Sequence, residues 1–323
     1  MAVGDGTGSR GGPWPRSYLY CPGDRPDRLG RVRSRGADAV IADLEDSVHA
    51  SKKAIARAAV AAWLADLPRD QQPQHAGKGQ LDQIWVRVNP GTLADDVLAI
   101  LGPDLRGIVL PKADPALVAT LDDLLTRAEH DRGLPHGAVA VQPIIETARG
   151  LLAAAELASA PRVVRLGFGE VDLAADLGAD IRTDPQILGP LRLQIVVASA
   201  AAGIAAPVGS ASPDFRDLTA LRADTEGLLR LGFRARTAIH PAQLACINEV
   251  FMPSKQQVDQ ARRLVAAFDD ATAMGVGAIV GPDGTMVDAA MLRSARDVLT
   301  RAAWQSAPAP GPAPETRPAP EDR

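Results

Sequence analysis

The sequence is poor in cysteine. Only Cys21 and Cys246 occur among 323 residues, too few for the disulfide framework of a small secreted protein, so we expect a reducing, cytoplasmic environment. No apolar run reaches the ~20 residues that cross a bilayer, and the Gly-rich amino terminus has no apolar signal core. The net charge of −4 shows no basic excess. We therefore expect neither nucleic acid nor a membrane as the main partner.

Histidine is also scarce, with five in the chain. There is no HExxH motif and no cysteine pair at zinc spacing, which argues against a zinc site. What is present is an ordinary globular composition, with 46% apolar and 23% charged residues. This balance is typical of a soluble enzyme.

The two ends of the chain have compositions that cannot build a core. Residues 1–15 are Gly-rich and residues 304–323 are Pro-rich, so we predict a disordered leader and a disordered tail. Residues 68–80 form a polar insert, which we predict to be a surface loop. Between the ends we predict a catalytic domain over 16–255 and a carboxyl-terminal arm over 256–303.

Short apolar, β-branched runs alternate with helical stretches through the predicted catalytic domain. Eight such runs predict a parallel sheet closed as a (β/α)8 TIM barrel. An open doubly wound sheet is the alternative, but it would carry a Gly-rich phosphate loop after its first strand, and CPGDRPDR is not one. The predicted strands are Ser17–Cys21, Ala37–Leu44, Ile84–Val88, Gly107–Leu110, Val139–Ile145, Val163–Phe168, Ile204–Val208 and Thr237–Ile239.

The arm is predicted to be a helix, a hairpin and a second helix. The helices are Gln256–Ala273 and Ala289–Ala303, and the hairpin Val276–Val287 has GPDG at its turn. We expect this arm to pack as a lid over the barrel mouth or over a neighbouring subunit.

Polar residues recur where the predicted strands end. Barrel enzymes place their active site at the carboxyl ends of the strands, so these side chains should face one mouth. Several carboxylates there would repel one another without a cation. Oxygen-only ligands favour Mg²⁺, and Mn²⁺ could substitute. The residues are Asp43, Glu45, Asp46, Arg87, Asn89, Lys112, Glu146, Glu170, Asp172 and His240.

Several of these residues also have a purely structural interpretation. Glu146 could simply favour the positive end of the next helix. Glu45 and Asp46 could cap a helix or form salt bridges, and Lys112 could be a buried ion-pair partner. Asp172 could be the N-cap of a helix over 173–177. His240, beside a proline, could be structural.

Two further patterns stay open at this point. The GFG of 167–169 could contact phosphate or simply allow close packing. Arg25, Arg28, Arg31 and Arg35 have the spacing of one helix face, which could meet the phosphates of a ligand or be solvated.

A set of motifs in this order resembles the HpcH/HpaI aldolase/citrate lyase β-subunit family, which includes malyl-CoA and citramalyl-CoA lyases. The resemblance runs from Arg16 to about Ala303, and the combination of DLED, IETARG and DLAADLG is its specific part. The motifs are RSYLYCPGDRPDRLGRV, GADAVIADLEDSV, VRVNP, GIVLPKAD, IIETARGLL, FGEVDLAADLG and LGFRARTAIHPAQLACINEVFMPS.

The resemblance implies a TIM barrel with one Mg²⁺ per site, assembled as a trimer or hexamer. Its metal carboxylates match Glu146 and Asp172, and the arginine for the substrate carboxylate matches Arg87. Glu45 and Asp46 match positions near the metal-bound waters.

The resemblance also implies a catalytic aspartate on the arm, often reaching a neighbouring subunit. Asp288 matches it, although alone it would be interpreted as the N-cap of the last helix. Three further residues are assigned to substrate binding: Arg16, Lys112 and His240.

The sequence departs from the family pattern in two places, both of which we expect near the mouth. LRLQIVVASA at 191–200 lacks a usual Arg-Ser, and FRART at 233–237 replaces a usual Gly-Lys turn. Both leave the acyl specificity open. Asp46 stands where the CoA-independent aldolases of the superfamily often have histidine, which favours the CoA-ester branch.

The predicted function is Mg²⁺-dependent cleavage or condensation of a 3-hydroxyacyl-CoA, such as citramalyl-, malyl- or citryl-CoA, giving an acyl-CoA and a 2-oxo acid. Asp288 would move the proton at the enolate carbon. Three alternatives stay open: a malyl-CoA-type thioesterase, a non-catalytic CoA-ester-binding or lyase-complex subunit, and a CoA-independent class II aldolase, which Asp46 disfavours.

Overall fold

The computed structural model describes residues 14–67, 83–180, 185–273, 279–280, 286–287 and 289–302. Most of the predicted leader, the polar insert, the hairpin turn and the tail lie outside the described residues. Trp14 and Pro15, the last two residues assigned to the leader, are described. Trp14 packs against the inner core of the barrel, and the carbonyl of Pro15 accepts a hydrogen bond from Arg165.

The eight predicted strands are confirmed, and they close into a barrel in which each strand pairs in parallel with its chain neighbour. Pairing of the first strand with the last completes the ring. The (β/α)8 prediction is therefore confirmed. The strands are β1 Ser17–Pro22, β2 Ala39–Asp43, β3 Gln83–Arg87, β4 Leu105–Leu110, β5 Ala140–Ile145, β6 Arg165–Phe168, β7 Ala205–Gly209 and β8 Ala235–Ala238.

Helices cover the outside of the barrel, and side chains fix where several of them begin. The carboxylate of Asp114 accepts from Leu117 N–H at 2.8 Å, and the hydroxyl of Thr147 accepts from Gly150 N–H at 3.0 Å. The barrel helices are α1 Pro26–Val32, α2 Lys53–Ala65, α3 Leu93–Ile100, α4 Pro115–Asp131, α5 Ala148–Leu152, α6 Ala154–Ser159, α7 Glu170–Leu177, α8 Leu188–Ala202, α9 Leu218–Leu231 and α10 Leu244–Phe251.

The core has two layers. Apolar residues on the outer side of the strands pack against the helices, and a smaller cluster fills the barrel itself. In that inner cluster Trp85 meets the ring edge of Tyr18, with centroids 6.2 Å apart. Gly107 leaves the room for Trp85, since a Cβ there would lie 2.3 Å from an indole carbon. The inner cluster forms the closed base beneath the mouth.

The arm has the predicted helix–hairpin–helix order: α11 Lys255–Ala273, the antiparallel pair β9 Ile279–Val280 and β10 Met286–Val287, and α12 Ala289–Ala302. Asp297 on α12 pairs with Arg234 at 3.3 Å, and Arg301 donates to the carbonyl of Phe251 at 3.4 Å. Arg234 immediately precedes β8, so these contacts lie toward the amino ends of the strands. They anchor the arm away from the mouth of its own barrel. No helix in the described part of the chain is long and apolar enough to span a membrane.

Candidate active site

An open cleft of about 230 Å³ lies at the carboxyl ends of the strands, where the polar residues were predicted to meet. Residues from β1, β2, β3, β5, β6, β7 and β8 and from the start of α7 line it. The predicted site residues among them are Asp43, Arg87, Glu146, Glu170 and Asp172. Parallel strands ending at one face bring together residues that are far apart in the chain.

Asp43 and Arg87 form a two-bonded ion pair at one wall of the cleft. Arg87 Nε and Nη2 donate to the two carboxylate oxygens of Asp43 at 2.6 and 2.7 Å. Asp43 also accepts from the backbone N–H groups of Glu45 and Ser47, which fixes the turn after β2. Burial would raise the pKa of Asp43, but the Arg87 hydrogen bonds and charge outweigh it, and the pKa lies below its usual value. The guanidinium also stacks over the Tyr20 ring at 4.8 Å.

Glu45 bridges two cations. Its Oε2 lies 2.9 Å from Arg87 Nη1, and its Oε1 lies 2.7 Å from Lys112 Nζ. Both residues thus form ion pairs, but Lys112 is exposed and not the buried partner that the sequence suggested. Asp46 is exposed and lies 3.4 Å from the same Arg87 nitrogen. Any further anion at Arg87 would therefore share Nη1 with Glu45 and Asp46.

Glu146 is the underpaired acid of the cleft. It is 4% exposed, and in the described part of the chain it accepts a single hydrogen bond, from Lys112 N–H at 2.7 Å. Lys112 reaches it with a left-handed backbone, φ 49°. Burial raises the pKa of Glu146 to about 7, and the charges of Asp172 and Glu45 add to the rise. A nearby cation would relieve this unfavourable burial.

Gly169 makes the position of Glu146 possible. A Cβ on Gly169 would lie 2.5 Å from the Cβ and 2.6 Å from an oxygen of Glu146. The close-packing interpretation of the GFG segment is the one that this geometry supports. Any side chain at residue 169 would displace the acid.

Asp172 lies in the first turn of α7 and is exposed in the same cleft. It is not the N-cap, because the helix begins at Glu170 and Gly169 holds the capping position. The positive end of the helix favours its negative charge there. That charge contributes to the raised pKa of Glu146, so the two acids interact across the cleft.

The two acids suit a hard divalent cation. Within the described residues, no group of three or more His, Cys, Asp or Glu side chains is placed to hold a metal. A pair of carboxylates completed by waters and substrate oxygens is the coordination that Mg²⁺ prefers. The buried, underpaired Glu146 beside Asp172 therefore fits Mg²⁺.

A buried charge network that sequence reasoning missed holds the start of α7. Glu170 receives Arg192 Nε and Nη2 at 2.7 and 2.9 Å, and Arg192 Nη1 lies 2.9 Å from Asp224. Asp224 in turn lies 2.8 Å from Arg236. Ser210 joins in, since its hydroxyl accepts from Glu170 N–H and its carbonyl accepts from Arg236 Nε. The network ties together α7, α8, α9, β7 and β8.

The two departures from the family pattern contribute to this network. Arg192 stands in the 191–200 segment, and Arg236 in the 233–237 segment. The second segment begins before β8, at the amino ends of the strands, so its expected place near the mouth is wrong. Arg236 also explains why β8 begins at Ala235, two residues earlier than predicted. Arg236 is a charged residue inside a buried strand, so the apolar pattern begins only after it. A charge inside an apolar segment was the signal available in the sequence.

Arg16 is not part of the site, and its assignment to substrate binding is wrong for this cleft. It precedes β1, so it lies at the amino ends of the strands, opposite the mouth. There it forms a two-bonded pair with Asp38, at 2.8 and 2.9 Å. Asp38 directly precedes β2, so the pair fastens the first two strands at their starts.

His240 is an exposed residue at the end of β8. Its Nδ1 accepts from Ala242 N–H at 3.1 Å, and its ring stacks on Phe215 with centroids 4.5 Å apart. These contacts support the structural interpretation of His240. Asp288, the proposed acid/base group, lies outside the described residues.

The four arginines near α1 do not share one helix face. Arg25 precedes the helix and pairs with Asp27, whereas Arg35 lies in the 3-10 turn after it. All four are exposed. Their common face, predicted from spacing alone, is wrong.

Comparisons with known proteins found relatives in both sequence and structure. The family model described as HpcH/HpaI aldolase/citrate lyase matches residues 16–241. A (3S)-malyl-CoA thioesterase of Cereibacter sphaeroides is 33% identical over 288 residues, covering 89% of this chain and 94% of the relative. A citrate lyase subunit beta-like protein of Mycobacterium tuberculosis is 32% identical over 293 residues, covering 88% and 94%. The crystal structure of CitE from M. tuberculosis in complex with magnesium, acetoacetate and coenzyme A has a TM-score of 0.68 at 30% identity, covering 89% of this chain and 97% of that one.

Proposed function

Because the chain belongs to the HpcH/HpaI aldolase/citrate lyase family of CoA-ester lyases, we propose that its cleft cleaves or forms the carbon–carbon bond of a 3-hydroxyacyl-CoA. The products of cleavage are an acyl-CoA and a 2-oxo acid. One observation carries the proposal: a buried, underpaired Glu146 beside Asp172 at the barrel mouth. The predicted family and enzyme class are confirmed, and the magnesium and CoA named for the M. tuberculosis structure accord with the predicted cofactor and substrate type.

The chain's own residues hold and polarise the substrate. Glu146 and Asp172 would bind Mg²⁺, whose chemistry is to acidify the substrate hydroxyl and stabilise the forming oxo acid. Lys112 N–H orients Glu146. Arg87, a permanent cation held in place by Asp43 and Glu45, would present its guanidinium to the substrate carboxylate at the same wall.

Proton transfer at the thioester enolate is assigned to Asp288, as acid in cleavage and base in condensation. The anchoring of α12 toward the amino face of its own barrel supports a role for the arm at a neighbouring subunit's mouth. We therefore propose a homotrimer or hexamer with shared sites. Mixing inactive Glu146→Gln and Asp288→Asn subunits should restore activity through the mixed sites. Mixtures that stay inactive in a confirmed mixed oligomer would contradict the shared site.

A coupled assay tests the main proposal. Purified protein with Mg²⁺ receives malyl-, citramalyl- and citryl-CoA, and both oxo acid and free thiol are followed. We expect oxo acid with an acyl-CoA product, lost in Glu146→Ala and Asp172→Ala. Asp123→Ala, an exposed acid on α4, is the matched control and should keep full activity.

A second candidate is favoured by one finding, the 33% identity to a (3S)-malyl-CoA thioesterase. In that case the same cleft positions a water, and free CoA appears without release of oxo acid. CoA-ester binding with no turnover of any substrate would instead indicate a non-catalytic subunit. Both cysteines are free and buried, which accords with a cytoplasmic location as the further part of this proposal.

A further inference from the structure

The chain has two tyrosines, and both stand on β1 with their side chains toward the inside of the barrel. Tyr18 and Tyr20 are two residues apart, so they lie on one side of the strand. Tyr18 belongs to the inner core cluster, and its hydroxyl accepts a hydrogen bond from Arg165 Nη1 at 3.1 Å. Tyr20 lies one step nearer the mouth and lines the cleft. The first tyrosine therefore serves the interior of the fold, whereas the second reaches the site.

The Tyr20 hydroxyl is not used by the fold. Within the described residues, no hydrogen bond joins it to another group. The other hydroxyls of the cleft are committed or lie at its rim: Ser210 and Thr237 donate to main-chain carbonyls, and Ser47 is exposed. A phenol keeps its proton at neutral pH, and burial raises the pKa of Tyr20 above its ordinary value. Tyr20 therefore offers a neutral O–H donor to a ligand in the cleft.

Arg87 has little donor capacity left for a substrate carboxylate. Asp43 takes its Nε and Nη2, and both Glu45 and Asp46 lie against its Nη1. One face of the guanidinium is also covered, because its Cζ lies 4.8 Å from the centroid of the Tyr20 ring. A carboxylate drawn to this cation therefore needs a further donor beside it, since a charge taken out of water is stabilised only when hydrogen bonds replace its hydration.

The Tyr20 hydroxyl is placed to be that donor. Its ring packs on Arg87, and the charges that act on its phenol oxygen include both Arg87 and Glu146, the proposed Mg²⁺ ligand. The hydroxyl thus lies near the cation at one wall of the cleft and near the acid of the metal site. We propose that Tyr20 is a substrate-binding residue whose hydroxyl donates a hydrogen bond to the substrate carboxylate at Arg87. This inference rests on the proposed lyase function, to which it adds a donor.

The test is binding of two small 2-oxo acids, pyruvate and glyoxylate, to the full chain in excess Mg²⁺, measured by calorimetry. Tyr20→Phe removes only the hydroxyl and keeps the ring against Arg87. We expect it to weaken oxo-acid binding roughly tenfold or more, as for a lost hydrogen bond to a charged group. The affinity for Mg²⁺ alone should stay the same and the Tm should not fall, because the hydroxyl has no partner in the described part of the fold.

Tyr18→Phe is the matched control, because it deletes the same atom from the same strand at a point where the fold uses it. It should lower the Tm, since Arg165 loses an acceptor, and leave oxo-acid binding unchanged. Unchanged oxo-acid binding in Tyr20→Phe, or an equal loss in both variants, would overturn the assignment of Tyr20. A lower Tm or weaker Mg²⁺ binding in Tyr20→Phe would also overturn it, since the hydroxyl would then support the fold or the metal site. A wild-type protein that binds Mg²⁺ but neither oxo acid would contradict the lyase proposal, and this inference with it.

Discussion

Two buried glutamates, one at each end of the barrel, show how differently the same side chain can be used. Glu129, on α4 at the amino face, is fully buried and accepts from Gly137 N–H, from Val139 N–H and twice from Arg162 Nη1, all between 2.8 and 2.9 Å. Glu146, at the mouth, accepts one hydrogen bond from the described residues. The hydrogen bonds of Glu129 are all made within the protein, whereas the carboxylate of Glu146 can still bind a ligand.

The difference separates stability from function. Removing one partner of a buried ion pair leaves the other charge buried without compensation, so the free energy of unfolding falls. Removing an underpaired acid relieves an unfavourable burial and costs only the chemistry that the acid performs. The two glutamates should therefore respond in opposite ways to the same substitution.

Replacing each glutamate by glutamine should separate the two roles most strongly. Glu146→Gln should lower kcat by ~10²–10⁴ for the loss of a metal-binding acid, while the free energy of unfolding stays the same or rises. Glu129→Gln should lower the free energy of unfolding by about 3 kcal/mol or more and leave the folded protein active. Steady-state kinetics and urea unfolding on both variants measure this. Comparable losses of stability in the two would remove the distinction.

Adding one methyl group at Gly169 should displace Glu146 without changing any charge. The contact of 2.5 Å with the Glu146 Cβ cannot be accommodated by a flexible side-chain end, so the strand end or the acid must shift. We expect Gly169→Ala to weaken Mg²⁺ binding by ~10–100-fold. Gly189→Ala, in open space on α8, is the control and should bind Mg²⁺ normally. Retained Mg²⁺ affinity in Gly169→Ala would show that Glu146 is not the ligand.

The pH dependence of metal binding should follow Glu146. Its pKa is raised from 4.5 to about 7. Between these two pH values the carboxyl group of Glu146 is protonated in the metal-free folded protein and ionised in the unfolded chain. The stability that this proton contributes is complete below pH 4.5 and is lost as the pH rises through about 7. Mg²⁺ displaces the proton, so its affinity should rise roughly tenfold between pH 6 and 8. Calorimetry in two buffers would detect the released proton. A flat profile in the wild type would contradict the assignment.

Loosening α7 should have the smallest effect. Arg192→Lys removes the two-bonded grip on Glu170 but keeps the charge. Because Asp172 follows in the same turn, Mg²⁺ binding should weaken by roughly tenfold or less, since outer partners of metal ligands typically contribute ~10–100-fold and lysine keeps the charge. Arg222→Lys, in the exposed pair with Glu249, is the control. Equal effects of both variants would argue against a positioning role for the network.

The strands and both acids were predictable because they depend on local pattern. Apolar runs mark buried strands, and Glu146 and Asp172 follow two of them, so the direction of a parallel strand already placed them at one face. The assignment of Arg16 to substrate binding did not apply this rule. It precedes its strand, and a residue before a parallel barrel strand belongs to the opposite face.

The network behind α7 was not predictable in the same way. Arg192 and Asp224 lie on different helices, and Arg236 lies on a strand, so their pairing depends on tertiary packing. The helical segment after β5 likewise divides at Ala153 into α5 and α6, a break that its apolar pattern does not show. Sequence pattern thus places elements better than it places their partners.

Gly169 also offers a way to interpret relatives of this chain. Glu146 fills the space that a side chain at residue 169 would need, so a glycine at 169 and the acid should occur together in a sequence. A relative with the same eight strands but a larger residue at this point of the chain should have lost, moved or replaced its acid. The residue at this one position would then distinguish relatives that keep the metal-binding acid from relatives that share only the fold.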